Sequence, residues 1–184
     1  MKIKNLGILI VSLSLMCSCI TVKKINESAP RYVPKQDFSI EDLNGSFANR
    51  PITLNQNGGE PLGKFFFAPF KVYEWGESID LEGLVKFKSL SSSRLQVQLW
   101  KADSLCCEVE LQGKVNDDYF EVRRKLKVIG VPFIYFTSRE RKIILSLSKG
   151  GNLILKQGRS DFGNIFLFSG GGDSFTSYEF NKIN

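Results

Sequence analysis

The chain has 184 residues, 25 Lys and Arg against 19 Asp and Glu, 42% apolar residues and no histidine. Its length suits one domain with a hydrophobic core, and its apolar content is too high for a disordered chain. The lack of histidine excludes Ser-His-Asp and Cys-His triads, HExxH zinc sites and zinc fingers that use histidine. We therefore expect no catalytic site, metal site or cofactor, and a role in binding or structure.

Residues 1–19 have the organisation of an export signal. Lys2 and Lys4 precede an apolar run, Leu6 to Met16, which is too short to cross a bilayer of about 30 Å as a helix. The run is followed by Cys17-Ser18-Cys19, which resembles the lipobox of bacterial lipoproteins, where a small residue precedes the cysteine that receives diacylglycerol. Ser18 is that small residue, whereas Met16 stands where the family usually has leucine.

The lipobox resemblance implies a signal peptide over residues 1–18 and acylation of Cys19 with diacylglycerol and palmitate. Ile20, in place of aspartate, resembles the sorting signal for the outer membrane, so the implied location is the bacterial cell envelope, reached through a lipid anchor. An ordinary signal peptide cut nearby and an uncleaved short anchor are the alternatives. Cleavage before Cys19 removes Lys2 and Lys4 and leaves 23 basic against 19 acidic residues, a net charge of +4. This charge is too dilute for nucleic acid to be an expected partner.

A tether is predicted next, over residues 19–37. This segment carries two prolines and four basic residues and shows little apolar periodicity. The folded domain is predicted to span residues 38–184.

The sequence of this domain predicts a series of short β-strands. Residues 95–100 and 105–112 alternate between apolar and polar side chains, which is the pattern of strands with one buried face. One short helix is predicted near residues 61–67. Further strands are predicted over 81–88, 119–128, 141–148, 152–157, 163–169 and 177–182.

Hairpin turns join these strands and predict the topology. Turn-forming residues lie at 91–93, 102–104, 116–118 and 150–152. Short connections of this kind join antiparallel neighbours, so we expect an all-β, up-and-down meander of about eight strands with at most one short helix. Rolling such a sheet into a closed or half-open barrel hides its edges and its apolar face. Two packed sheets are the alternative.

The start of the domain also resembles a known family. The segment Asp42-Leu43-Asn44-Gly45-Ser46-Phe47 is similar to the G-x-W entry of lipocalins, with Phe47 where those proteins have tryptophan. This resemblance implies a lipocalin-like barrel. The combination of lipobox, tether and meander is also similar to small lipoproteins of Bacteroidota that have no assigned activity, which implies a role in the envelope and no more.

A candidate ligand site lies on the strand predicted over residues 119–128. With strict alternation, Arg124 shares a face with Phe120, Val122 and Leu126. A guanidinium on an apolar face must be paired, since leaving it desolvated costs several kcal/mol. Arg124 is therefore a candidate anchor for a ligand carboxylate or phosphate. A bulge that turns it outward, a buried carboxylate partner and a position at the open rim are the alternatives.

Other features have simpler interpretations. The aromatic runs at 65–70, 131–136 and 165–168 are interpreted as core, with a lipid-like ligand cavity as the alternative. Cys106 and Cys107 are interpreted as one buried and one surface thiol, because neighbouring residues of a strand point apart. Gly170–Gly172 is interpreted as a flexible connection. Solvated faces or turns are expected for the basic residues Arg123, Lys125 and Lys127 and for the acidic residues Glu74, Glu77, Asp80 and Glu82.

These inferences favour an anchored protein that binds a small amphipathic or lipid-like ligand in its barrel. Arg124, Phe120, Val122 and Leu126 are the predicted binding residues, and Cys19 is the predicted lipidation site. The alternative is a non-catalytic structural or accessory subunit of an outer-membrane complex. The expected partners are the membrane, through the anchor, and either a hydrophobic small ligand or an envelope protein; we do not expect an enzyme.

Overall fold

The computed structural model describes residues 25, 35, 37–52, 59–67, 82–131, 135–165 and 168–183, with the backbone alone at 123–127, 131 and 165. The predicted signal peptide, the acylated Cys19 and most of the predicted tether lie outside the described residues. None of the helices within these ranges has the length and apolar character needed to cross a bilayer.

Eight strands and two short helical segments lie within the described residues, besides the single helical residue Ile25. A 3-10 turn, Ile40–Leu43, precedes the first strand, and the helix α1, Leu62–Phe67, lies between the first two strands. The strands are β1 Gly45–Pro51, β2 Leu84–Ser91, β3 Arg94–Lys101, β4 Ser104–Asn116, β5 Tyr119–Val131, β6 Tyr135–Leu147, β7 Leu153–Ile165 and β8 Phe168–Ile183.

The strands form one antiparallel sheet in chain order. Each strand pairs with the next, and β1 also pairs with β8, so the sheet closes on itself as a barrel. This closure confirms the predicted all-β meander of about eight strands, with α1 as the short helix. Closure removes the exposed sheet edges that would otherwise promote aggregation.

The two helical segments cover the barrel core near opposite ends of β1. The 3-10 turn is fixed by a capping box in which Ser39 and Asp42 exchange hydrogen bonds, and Lys35 pairs with Asp42 at 2.6 Å. At the other end of β1, the Asn49 side chain accepts a buried hydrogen bond of 2.7 Å from the backbone N–H of Gly63 in α1. Apolar side chains of both segments therefore reach the core.

That core is rich in phenylalanine. One cluster of buried side chains joins the 3-10 turn, α1 and every strand, and it includes Phe47, Phe66, Phe67, Phe120 and Phe180, each at most 1% exposed. The rings of Phe47 and Phe66 each pack edge-on against Phe87, with centroids 5.6 Å apart in both pairs. Burying a side chain of this size contributes about 1.5–3 kcal/mol.

Strands β5 to β8 are longer than the barrel needs. The register of β4 with β5 ends at Gly113 and Val122, whereas the β5–β6, β6–β7 and β7–β8 registers continue for several more residues. We call this extension the upper sheet, composed of residues 125–131, 135–141, 159–165 and 168–174. We call the part of the barrel below it, which contains the phenylalanine core, the lower half.

In the upper sheet, several strand boundaries differ from the predicted ones. The segment 163–169 was expected to be one strand, but β7 ends at Ile165 and β8 begins at Phe168, and these two strands pair with each other. Gly170–Gly172 was expected to be a flexible connection, but it lies within β8, in register with β7. Backbone pairing with β7 holds these glycines in a strand despite their low β-propensity.

Two described residues of the predicted tether contact the barrel. Ile25 is helical and fully buried, and it packs with Ile144, Tyr119 and Phe175. The backbone N–H of Lys35 donates a hydrogen bond of 2.8 Å to the carbonyl of Leu147. The chain is therefore held against the barrel at both of these points.

Candidate functional site

Cross-strand registers divide the inner face of β6 and β7 into rows. Leu147 lies opposite Leu153, and Leu145 opposite Leu155, and all four are buried in the core. Since the register of these two strands is continuous, every second residue faces the same way. The inner face therefore continues upward through the opposed pairs Ile143 and Gln157, Arg141 and Arg159, and Arg139 and Asp161.

Arg141 lies at the boundary between the lower half and the upper sheet. It is half-buried, and its Nη2 donates a hydrogen bond of 3.0 Å to Oε1 of Gln157. Its guanidinium lies 5.9 Å from the ring centroid of Phe65, which is itself 5% exposed. The Nε of Arg141 is buried and has no hydrogen-bond partner among the described residues.

Electrostatics at Arg141 disfavour its charged form. Burial, and after it the like charge of Arg159, lower the pKa of Arg141, while the charge of Glu60 opposes them. Glu60 precedes α1 and is itself paired with Lys64 of that helix, with Oε2 and Nζ 2.6 Å apart. Arg141 therefore lies in a partly desolvated position next to another cation, where an additional anion would be favourable.

Arg139 and Arg159 share one carboxylate. The Nε of Arg139 donates to Oδ1 of Asp161 at 2.6 Å, and the Nε of Arg159 donates to Oδ2 at 2.7 Å. Burial raises the pKa of Asp161, but the hydrogen bonds from the two arginines outweigh it and hold that pKa below its usual value. Both guanidinium groups are thereby fixed through Nε.

An open cleft of about 530 Å³ lies along the upper sheet. Arg139 and Asp161 line it, together with Ile129 and Tyr135, which share their face of the sheet. Gly170–Gly172 form another part of its wall, and the lack of side chains at these glycines leaves backbone accessible to a ligand. The cleft combines apolar walls with a few charged groups, which is the usual composition of a ligand site.

The predicted binding residues lie apart from this cleft or outside the described side chains. Phe120 is fully buried in the core, and Val122 packs against the same cluster, so both contribute to packing. The side chains of Arg124 and Leu126 lie outside the described residues. The register shifts between Val122 and Lys125, a bulge that interrupts the alternation on which the shared face of Arg124 and Phe120 depended.

The bulge changes which basic residues of β5 lie in register with β6. Lys125 is paired with Arg141, and Lys127 with Arg139. Basic residues therefore occupy neighbouring positions on three strands, β5, β6 and β7.

Sequence reasoning missed Arg139, Arg141, Arg159 and Asp161. The available signal was the alternation of Arg139 and Arg141 directly before the apolar run of residues 143–145, which continues the inner face of β6. The predicted strands began at 141 and ended at 157, so the charged ends of β6 and β7 were left out.

The cysteines fit their structural interpretation. Cys107 packs against the core cluster, whereas Cys106 is exposed and its Sγ lies 3.8 Å from the carbonyl oxygen of Ser104. Neither cysteine forms a disulfide bond with another described residue. Within the described ranges, no group of three or more Cys, Asp or Glu residues is placed to hold a metal ion.

Comparison with protein families, curated proteins and solved structures finds no match for this chain. The site is therefore interpreted from its own geometry.

Proposed function

We propose that this protein is a non-catalytic binding module of the bacterial cell envelope, anchored through Cys19, whose barrel binds a small amphipathic anion. The ligand site is the cleft of the upper sheet together with Arg139, Arg141 and Arg159. The anchor part of the proposal is supported by the lipobox resemblance of residues 1–19. The binding part is supported by the inner face of β6 and β7.

The observation that carries the binding proposal is the state of Arg141. A guanidinium that is half-buried beside a phenylalanine ring, in register with another arginine and with a buried Nε that lacks an acceptor among the described residues, costs stability. Of the four buried side-chain atoms that lack a hydrogen-bond partner among the described residues, this Nε is the one that belongs to a cation. An anion bound beside Arg141 and Arg159 would supply the compensating negative charge.

The distribution of apolar side chains favours the same location. Phenylalanines fill the lower half, where Phe47, Phe120 and Phe180 are fully buried. In the upper sheet, Ile129 and Tyr135 are 46% and 42% exposed and line the cleft. An apolar ligand chain would cover these two side chains while its anionic group contacts the arginines.

The alternative is an accessory subunit of an envelope complex. Its support is Phe168, which begins β8 at the tip of the upper sheet and is 83% exposed. A large exposed aromatic side chain is typical of a surface that a partner covers. The charged cleft is not required by this alternative, so we rank it second.

Calorimetric titration tests the binding proposal. The full chain in nanodiscs of neutral phosphatidylcholine is titrated with hexyl phosphate and with hexanoate, two soluble amphipathic anions. We expect saturable binding of at least one of them, and a loss of about tenfold or more in affinity for Arg141→Gln, because hydrogen bonds to charged groups contribute about 1.5–3 kcal/mol.

The matched control is Arg94→Gln, which removes the same charge from the outer surface of β3, where Arg94 pairs with Glu110 at 3.3 Å. This variant should bind as the unmodified chain does. Binding of neither anion, or equal losses in the two variants, would contradict the proposal and leave the accessory-subunit alternative.

A further inference from the structure

The charges of the site define the ligand more closely, and this inference rests on the proposed function. The inner face above the core carries three arginines, at 139, 141 and 159, and one carboxylate, Asp161. The nearby Glu60 is already paired with Lys64. The described side chains of the site therefore carry two positive charges in excess, in a position where Arg141 is half-buried.

The hydrogen bonds to Asp161 leave part of each arginine available. Arg139 and Arg159 both contact Asp161 through Nε, so their terminal Nη groups are free for a ligand as far as the described residues show. Asp161 is thus a positioning residue that holds both guanidinium groups through one carboxylate. Arg141 adds its positive charge from the next row.

Like charges in register are the second, independent observation. Arg141 lies directly opposite Arg159 on β7, and Lys125 is paired with Arg141 on β5. Like charges at directly opposed positions of neighbouring strands destabilise a sheet. A ligand that carries two negative charges would neutralise this excess, whereas a monoanion would leave part of it.

We infer that the ligand carries a phosphate monoester, bound by Arg139, Arg141 and Arg159, on an organic substituent that lies along the cleft. Guanidinium groups bind phosphate oxygens in a planar, often bidentate geometry, with charge-assisted hydrogen bonds that are about twice as strong as neutral ones. A dianion neutralises more of the excess positive charge of the site than a monoanion does.

The size and lining of the cleft indicate the organic substituent. Its volume of about 530 Å³ is far larger than a phosphate group needs, and Ile129 and Tyr135 provide apolar walls beside Arg139. A site for free phosphate alone would not require these walls. The shared chemistry is therefore a phosphate with an apolar neighbour, as in a lipid headgroup or a small phosphorylated metabolite.

The test uses the full chain in neutral nanodiscs and three probes: hexyl phosphate, hexanoate and inorganic phosphate. At pH 7.5 we expect hexyl phosphate to bind at least about tenfold more tightly than either other probe, since it alone offers both the dianion and the chain. Arg159→Gln should reduce this preference, while Arg94→Gln, on the outer surface, should keep it.

The pH dependence is a second measurement that needs no variant. A phosphate monoester passes from monoanion to dianion near its second pKa of about 6. The facing charged groups are Arg139, Arg141, Arg159, Asp161 and Glu60, together with Tyr178 of β8 and the register positions Lys125 and Lys127; none belongs to a residue type that ordinarily titrates between pH 5 and 8. Affinity for hexyl phosphate should therefore rise from pH 5.5 to 7.5, while that for hexanoate should stay constant.

The outcomes separate this inference from the proposed function. Equal affinity for hexanoate and hexyl phosphate, or no rise with pH, would overturn the phosphate inference and leave the binding function in place. Equal affinity for inorganic phosphate and hexyl phosphate would overturn the inference that the ligand carries an organic substituent. Binding of none of the probes would overturn the proposed function itself.

Discussion

Strands β6 and β7 pass through both halves of the molecule, and their inner face changes character halfway along. In the lower half it presents Leu145, Leu147, Leu153 and Leu155, all at most 3% exposed. In the upper sheet the same face presents three arginines and an aspartate beside an open cleft. The continuous pairing of β6 with β7 thus carries an apolar inner face in the lower half and a charged inner face in the upper sheet.

The difference assigns separate tasks to the two halves. The lower half is stabilised by removal of apolar surface from water, which is the dominant favourable contribution to folding. The upper sheet places like charges in register and leaves the Nε of Arg141 buried without a described partner, and both features cost stability. Such costs are typical of binding sites, where function rather than stability selects the residues.

Truncation of one phenylalanine in each half gives the largest expected contrast. Phe120 is fully buried in the lower half, and Phe168 is 83% exposed at the tip of the upper sheet. Phe120→Ala should lower the free energy of unfolding by about 3–5 kcal/mol, because it removes buried surface and leaves a cavity. Phe168→Ala should change it by no more than about 0.5 kcal/mol. Urea denaturation followed by circular dichroism measures both.

Similar effects of the two truncations would contradict this division. A small loss of unfolding free energy in Phe120→Ala would support the predicted role of Phe120 as a ligand contact, because a residue that lines a hollow site contributes less to packing. In that case Phe120→Ala should weaken ligand binding more than it weakens the fold.

The lower half was predictable from sequence because its chemistry follows simple rules. Alternation over residues 95–100 and 105–112 predicted β3 and β4, and turn-forming residues marked the hairpins at 102–103 and 117–118. The apolar residues Leu62, Phe65 and Phe66 predicted α1, which spans Leu62–Phe67. In each case most of the apolar face packs against the core cluster, so the apolar pattern predicts the element.

The upper sheet was not predictable in the same way. Its strands contain glycine, serine, aspartate and arginine, which have low β-propensity or no preference, and they are held by pairing with neighbouring strands. The inner and the outer face of this sheet both carry polar residues. No apolar alternation therefore marks the parts of β6, β7 and β8 that lie in the upper sheet. The predicted strands therefore stopped where the apolar residues stopped.

The bulge in β5 shows where period-2 counting along this strand fails. Period-2 counting from Phe120 leads to Arg124, but two residues, at 123 and 124, lie opposite the single position Lys142, and the paired positions resume at Lys125. A bulge of this kind leaves no reliable mark in a single sequence. The same counting rule applied to β6, which has a continuous register with β7, leads correctly from Leu145 to Arg141.

A pair of adjacent glycines tests how tightly the upper sheet is built. A Cβ added to Gly171 would lie 2.5 Å from the carbonyl oxygen of Asp161, whereas one added to Gly172 would have no atom within 4 Å. Gly171→Ala should therefore destabilise by about 1 kcal/mol or more through overpacking, and Gly172→Ala should stabilise by about 0.5 kcal/mol.

Denaturation and amide hydrogen exchange of β7 and β8 measure these two variants. If the upper sheet opens separately from the lower half, Gly171→Ala should accelerate exchange in the upper sheet more than it lowers the global free energy of unfolding. Equal behaviour of the two variants would show that the backbone of β8 does not approach β7 as closely as described.

The smallest expected effect concerns the charge pairs of the upper sheet. Asp161 is partly exposed, so its two ion pairs are screened, and Asp161→Asn should cost only about 0.5 kcal/mol at pH 7. Because the pKa of Asp161 is lower in the folded state than its ordinary value of 3.8, this contribution is present above pH 3.8 and is lost as the pH falls through the folded value. The stability difference between the variant and the unmodified chain should therefore shrink on acidification, as measured by urea denaturation at pH 7, 5 and 3.

The control for this measurement is Asp103→Asn, in the exposed turn between β3 and β4. It removes the same charge from a position without the paired arginines, so it should leave stability at pH 7 unchanged. A pH-independent deficit in Asp161→Asn would mean that the residue acts through packing rather than charge. If Asp161→Asn lowered the free energy of unfolding as much as Phe120→Ala does, the charge pairs of the upper sheet would contribute as much stability as the core of the lower half. That result would contradict the proposed difference between the two halves.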